Sequence, residues 1–448
     1  MTGGQFIRVL KRKEVVALAL GAMIGWSWVA LTGTWIIAAG SAGAMLAFLV
    51  GGTTVVLVGL TYAELASAMP RAGGEHVYSY RALGPTASFI CTWAILLGYV
   101  SVVAFEAVAL PTVINYLMPG FSRGYLWTIA GWDVEFTWVL VGAVAAFVMT
   151  AINVIGIKAA AKLQLLVTTM ILIAGLLLIG GAAVGGSSEN MMPLVDHGMK
   201  GFLGVLVMVP FMFVGFDVIP QSAEEMRIPL SDIGRMLMFS ILMAVIWYVG
   251  IIAAVSMGLS AAERVSSELP TADAISALFG SSWAGKLLIV AGVGGILTSW
   301  NAFLIGGSRA IYAMAQSGQL PRSLGALHVR YGTPYNAVML IGALSVLAPL
   351  FGRPALVWLV NAGSFGIIVA YAFVALSFLA LHTRDPGMRR PFEVQHWRFV
   401  GTAALVLSIG IACLFLPGSQ AALVWPHEWL IVIGWIALGL QMMWFARK

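Results

Sequence analysis

The chain has 448 residues, 60% of them hydrophobic and 9% charged, with 24 Lys and Arg against 18 Asp and Glu. A soluble domain carries roughly 25% charged residues, so a mean hydropathy of +0.96 means that apolar side chains face lipid. Disordered tail, coiled coil, secreted disulfide scaffold and ordinary cytosolic enzyme are excluded on that ground.

No charged residue occurs between Val15 and Ala63. That is long enough for two spans of ~20 residues with a turn at Gly40-Ser41. Arg8, Lys11, Arg12 and Lys13 resemble the basic start of a signal peptide. The apolar run behind them is too long for one, so cleavage is not expected. Further runs predict helices near 86–118, 136–157, 163–184, 201–223, 235–259, 285–314, 336–351, 355–381, 400–417 and 429–446. The expected fold is all-α and integral to the membrane, with about twelve transmembrane helices.

Assigning loops alternately to the two sides tests that count. Nineteen basic residues fall on one side; only Arg123, Lys200, Arg264, Lys286 and Arg353 fall on the other. The positive-inside bias places both termini in the cytoplasm of a multi-pass cell (inner) membrane protein. The basic excess is scattered over many loops, so no nucleic acid partner is expected. Cys91 and Cys413 lie in apolar runs and read as small buried hydrophobes. All six histidines lie in or beside loops, which argues against a mid-membrane histidine relay or zinc centre. Tryptophans such as Trp93, Trp132, Trp283, Trp397 and Trp429 fall near predicted helix ends, as interface anchors do.

Two spans carry helix-breaking residues at mid-membrane: Gly21 to Ser27 in the first, and Pro210, Gly215-Phe216-Asp217 and Pro220 in the sixth. Lipid cannot satisfy freed backbone groups, so broken backbone lines a cavity or is re-bonded by neighbours. Singly, each break reads as a kink or packing position. Placed five helices apart, they predict two inverted five-helix units with a midplane binding site between them. The expected layout is a cytoplasmic N-terminus (1–14), a first repeat (15–184), an external loop (185–200), a second repeat (201–381), a cytoplasmic loop (382–399) and two C-terminal helices (400–448).

The chain resembles the amino acid–polyamine–organocation (APC) permease superfamily, whose members have the LeuT-like fold. The resemblance rests on Gly21 to Ser27, Met69 to Tyr80 with Gly84, Phe213 to Asp217 with Glu224-Glu225, Ser308-Arg309 through Gly332-Thr333-Pro334, and Arg389-Arg390-Pro391-Phe392, in that order. It implies that Ile24, Gly25, Trp26 and Ser27 offer backbone amides to a substrate carboxylate. Trp26-Ser27 stands where the family commonly has Ser-Gly. The resemblance also places Phe211 in the region of an aromatic gate, with Phe213, Gly215 and Phe216 flanking the sixth-helix break. It implies a sodium site from the carbonyls of Gly21, Ile24 and Gly295 with the hydroxyls of Thr298 and Ser299. Hydroxyls back-bonded to their own helix are the ordinary alternative. Some relatives carry a lysine deep in helix five; this chain has no charge from Leu163 to Gly186.

A carboxylate at membrane depth is costly and faces a bundle interior or water. Asp217 therefore either receives a substrate ammonium, carries a coupling proton, or caps the second half-helix locally. Glu106, mid-span in the third helix, either lines the cavity with Asp217 or bonds between helices, with Asn115, Asn153, Asn301 and Asn361 as polar groups elsewhere.

The expected function is a secondary active transporter, not an enzyme, moving a small amino acid or amine by alternating access. It has no cofactor, a sodium ion or proton as candidate coupling ion, and a homodimer as a candidate assembly in the bilayer. The alternatives are a polyamine- or alkanolamine-specific permease, and a sensor or channel on the same fold.

Overall fold

The computed structural model describes residues 10–155 and 158–446, and for 158–163 the backbone alone. Of the basic residues used for orientation, Arg8, Arg447 and Lys448 lie outside the described residues, and Lys158 and Lys162 lie where no side chain is described.

The chain is helical almost throughout. Helix α1 (Arg12–Met23) opens with the Glu14 carboxylate accepting the Lys11 backbone N–H at 2.6 Å, which occupies an orphan donor of the first turn. It meets α2 (Ser27–Ala39) at a bend of 40° over Ile24 to Trp26. Then come α3 (Ser41–Ala68), the short α4 (Glu75–Leu83) and α5 (Pro85–Leu117), with Pro85 at a first-turn position where its missing N–H costs nothing. A hairpin of β1 (Tyr125–Ile129) and β2 (Trp132–Glu135), not foreseen from sequence, precedes α6 (Phe136–Ile155) and α7 (Lys158–Gly185).

The sixth apolar segment is three pieces: α8 (Gly198–Leu206), α9 (Val209–Phe213) and α10 (Val218–Gln221). Pro210 and Pro220 each fall in the first turn of a short helix, where proline is tolerated, so they start pieces and do not kink one rod. The remainder is α11 (Leu230–Gly258), α12 (Ala261–Ser266), α13 (Pro270–Leu278), α14 (Ser282–Gln316), α15 (Tyr335–Leu347), α16 (Ala355–Arg384), α17 (Trp397–Leu414) and α18 (His427–Ala446).

Among the described residues, ten helical segments are long and apolar enough to cross a membrane, α8 to α10 together counting as one. The bent pair α1 and α2 passes the same test jointly, and Tyr335–Phe351 is a shorter apolar segment. This is an all-α, multi-pass membrane protein. Large apolar side chains stand outward on its periphery, among them Phe147, Leu176, Ile246, Leu287 and Val406. So extensive an apolar surface suits lipid, not water.

Helix α5 is the central post, with 89% of its most apolar window buried, whereas α18 buries 17%. Helix α16 lies along α5, and α11 along α3. Cys91 is buried on α5, but Cys413 is exposed on α17, correcting the expectation that both are buried. The physical reason is that α17 turns most of its surface outward.

Candidate functional site

The two helix breaks touch. Gly215 has φ +130°, a region glycine alone enters freely. A Cβ there would stand 2.7 Å from the Ala22 Cβ and 2.9 Å from the Met23 nitrogen. The irregular backbone of one span thus rests on that of the other, buried from lipid.

Helix α14 presses on the first break from a second direction. A Cβ on Gly295 would lie 2.8 Å from the Gly25 carbonyl oxygen, and one on Gly25 would lie 2.8 Å from the Ser299 Cβ. Glu106 of α5 completes this corner. Its Oε1 accepts a hydrogen bond from Ser299 Oγ, the Trp26 backbone N–H is turned toward the same carboxyl, and Oε2 has no partner. A protein carboxyl group therefore stands at the N–H end of the first break, and its partner is Ser299 and none of the four asparagines. Asn361 instead donates to Glu428 of α18 at 2.6 Å, and Asn153 bonds its own helix at Met149.

The Trp26 indole turns away from this corner onto α14, where a Cβ on Gly292 would lie 2.6 Å from Trp26 Cε3. The Ser27 hydroxyl lies 3.2 Å from the Tyr248 hydroxyl, which itself donates to the Met23 carbonyl at 2.6 Å. Tyr248 of α11 thereby joins the two sides of the break. Sequence reasoning missed it, although a tyrosine mid-span in Trp247-Tyr248 was the available signal.

At the second break, Asp217 is fully buried. Its Oδ1 accepts the Gly215 N–H at 2.8 Å, so it braces the break backward and does not cap α10 forward. Oδ2 has no partner, and the Tyr99 phenol flanks it. A second acid, Glu75 of α4, stands against the same short helix, α10, through Gln221, whose own N–H bonds the Asp217 carbonyl at 3.3 Å. Glu75 is also fully buried and accepts from Gln221 Nε2 at 2.5 Å. Glu106 on α5 bonds at the first break, and Asp217, at the start of α10, bonds at the second. Glu75 falls between the spans expected from sequence; it is the lone acid between Leu65 and Phe105, which was the signal for it.

The three phenylalanines diverge. The Phe211 N–H bonds Ser364 Oγ at 3.2 Å and its ring lies 5.7 Å from Phe105. Phe213 packs on Tyr248 at 5.4 Å, and Phe216 on Tyr62 at 5.3 Å. Phe211 faces α5 and α16, and Phe216 also meets α16 through Tyr371, at 5.6 Å.

The candidate sodium oxygens lie together but are bonded to one another. Thr298 Oγ1 bonds the Gly21 carbonyl at 3.2 Å and the Gly295 carbonyl at 3.1 Å, and Ser299 Oγ bonds the Gly295 carbonyl at 2.9 Å. From α7, Gln164 and Thr168 reach the same stretch of α1, with Thr168 Oγ1 3.3 Å from the Ala17 carbonyl oxygen. A cavity of about 710 Å³ lies elsewhere, between α5, α16 and α18 on the outer face, and holds none of these groups.

A bent first span and a split sixth one meet, with a buried carboxyl group at each. The model of the amino acid permease family matches residues 10–438. The chain is a member of that family, in the APC superfamily. It is 26% identical over 443 residues to the branched-chain amino acid permease BcaP of Bacillus subtilis, covering 98% of this chain and 90% of that one. It is also 26% identical to a methylthioribose transporter of the same organism, over 98% of this chain and 94% of the relative. An aspartate–proton symporter of that organism is 26% identical over 90% of this chain and 79% of its own length. These relatives are permeases and transporters, not enzymes.

Proposed function

We propose that the protein is a secondary transporter that moves a small amino acid or amine across the cell membrane by alternating access, with both termini in the cytoplasm. Two five-helix units, 15–184 and 201–381, would rock about the substrate, and 400–448 would pack outside them. The observation that carries this reading is the contact of the two breaks, Gly215 upon Ala22 and Met23. The residues around it, from Ile24 to Ser27 and from Phe211 to Asp217, are all buried, as an occluded site requires.

The substrate amine would be drawn to Asp217, and an anionic group to the amides of Gly25 to Ser27, with Phe211 against its apolar part. The relatives' names cover a branched-chain amino acid, a methylthioribose and aspartate with a proton. For this chain, buried carboxyls at both breaks favour a neutral or cationic amine-bearing substrate and disfavour one with a second carboxylate, because like charges repel strongly when desolvated. The coupling ion is a sodium ion or a proton, or the protein exchanges substrates without one; the Thr298 and Ser299 hydroxyls donate to carbonyls and keep their lone pairs.

Uptake by proteoliposomes, screened over neutral, cationic and acidic amino acids, polyamines and alkanolamines, tests this. Trans-stimulation by internal substrate separates a carrier from a channel, and binding without flux identifies a sensor. An Asp217→Asn protein that transports at the wild-type rate would remove that residue from the mechanism.

A further inference from the structure

Behind the second break lies a polar chamber that the substrate reading does not use. Glu75 Oε2 and Asp217 Oδ2 are both buried without a hydrogen-bond partner. The groups facing them come from every neighbouring helix: Tyr62 on α3, Tyr78 on α4, Cys91 and Tyr99 on α5, and Tyr371 on α16. The hydroxyls of Tyr62, Tyr78 and Tyr371 also lack partners, and the Tyr99 phenol is turned toward Asp217. Arg309 on α14 is engaged by Glu225, at 3.0 Å, and by Ser308. Helix α1 contributes the Ala22–Met23 backbone on the far side of Gly215.

Both acids flank α10, Glu75 through Gln221 and Asp217 at the start of the helix, and the Tyr62 ring packs on Tyr78 on one side and on Phe216 on the other. Ionising two carboxyl groups so buried at once is costly, and one proton held between them removes that cost. The phenols can donate to whichever oxygen is charged at a given moment, so a proton moves between Glu75 and Asp217 without leaving orphaned charge.

We propose that Glu75 and Asp217 form one proton-carrying pair, loaded from outside together with substrate and unloaded into the cytoplasm when the chamber opens. The inference rests on the transport reading above and names its coupling ion. Glu75 is the member of the pair that serves the proton alone, since Gln221 anchors its other oxygen.

The test uses the full-length protein in proteoliposomes containing a pH-sensitive dye, with leucine, serine, lysine and aspartate as successive probes. Expected is internal acidification that accompanies uptake of a transported probe. Glu75→Gln should lose both the acidification and the pH-driven accumulation, while still exchanging labelled for unlabelled probe. Glu75→Asp should restore part of the acidification. A Glu75→Gln protein that acidifies like wild type overturns the proposal. Wild-type uptake without acidification also overturns it, needs no variant to fold, and leaves the transport reading standing. No uptake of any probe removes both.

Discussion

Ser299 donates a hydrogen bond to Glu106, and through that bond α14 and α5 close together over the first helix break. The bond is interhelical glue, and it also holds a carboxyl against the Trp26 amide. Removing the hydroxyl leaves a buried carboxyl oxygen without a donor, at a cost of about 1–3 kcal/mol. Ser299→Ala should therefore melt earlier in detergent, and Glu106→Gln, which keeps an acceptor for Ser299, should melt near wild type. Equal melting of Ser299→Ala and wild type would show that the bond does not matter. Glu106→Gln should also lower the affinity for cationic probes more than for neutral ones.

Gly215→Ala tests the crossing of the breaks. The substitution puts a Cβ 2.7 Å from Ala22 and keeps a side chain at φ +130°. Backbone strain of this kind costs about 1–3 kcal/mol before the clash is counted. Expected is loss of uptake with a lowered melting temperature. Wild-type uptake by this variant would place the substrate path elsewhere.

Tyr248→Phe removes one hydroxyl while keeping the ring that packs on Phe48 and Phe213. The lost bonds, to the Met23 carbonyl at 2.6 Å and across to Ser27, amount to about 0.5–1.5 kcal/mol each. The protein should fold, and its half-saturation for substrate should rise severalfold because Ser27 and Met23 are no longer held in register. Unchanged uptake kinetics would leave Tyr248 a packing residue.

A fourth prediction concerns Glu64, fully buried on α3. It accepts from Arg390 Nε at 2.9 Å and from the Val394 N–H at 2.8 Å, and His382 Nε2 lies 2.6 Å from the same carboxylate. His382 is stacked in turn on Trp397, with ring centroids 4.5 Å apart. This binds the segment between α16 and α17 to the bundle. Removing one member of a buried ion pair costs about 3–5 kcal/mol. In Glu64→Ala, trypsin should cut after Arg389 much faster than in wild type, read on a gel before global unfolding, whereas the bond after Arg390 is protected by Pro391 in both. Equal cleavage rates would mean that the segment is held by other contacts.

Much of this architecture was legible in the residues. Spans could be read because lipid demands long apolar helices, and the breaks because glycine and proline clusters recur five helices apart, in the first span and the sixth. Asp217 and Glu106 stood out for the same reason: a charge in such surroundings has few places to go. The partners did not stand out. Ser299 lies 193 positions from Glu106, and Gln221 lies 146 from Glu75. No local periodicity reports contacts at that separation.

By itself, then, the sequence determined a multi-pass helical membrane protein with two interrupted spans and a small set of acids that needed explaining. Composition and backbone chemistry suffice for that, since the solvent imposes them residue by residue. Only the tertiary structure decided that Glu75 bonds Gln221 behind the second break and that Glu106 belongs to the first. It also decided that the Trp26 indole leaves the site for the space above Gly292. Those outcomes depend on which helix faces which, and helix packing within lipid is set by close fit and interhelical hydrogen bonds, not by hydrophobicity.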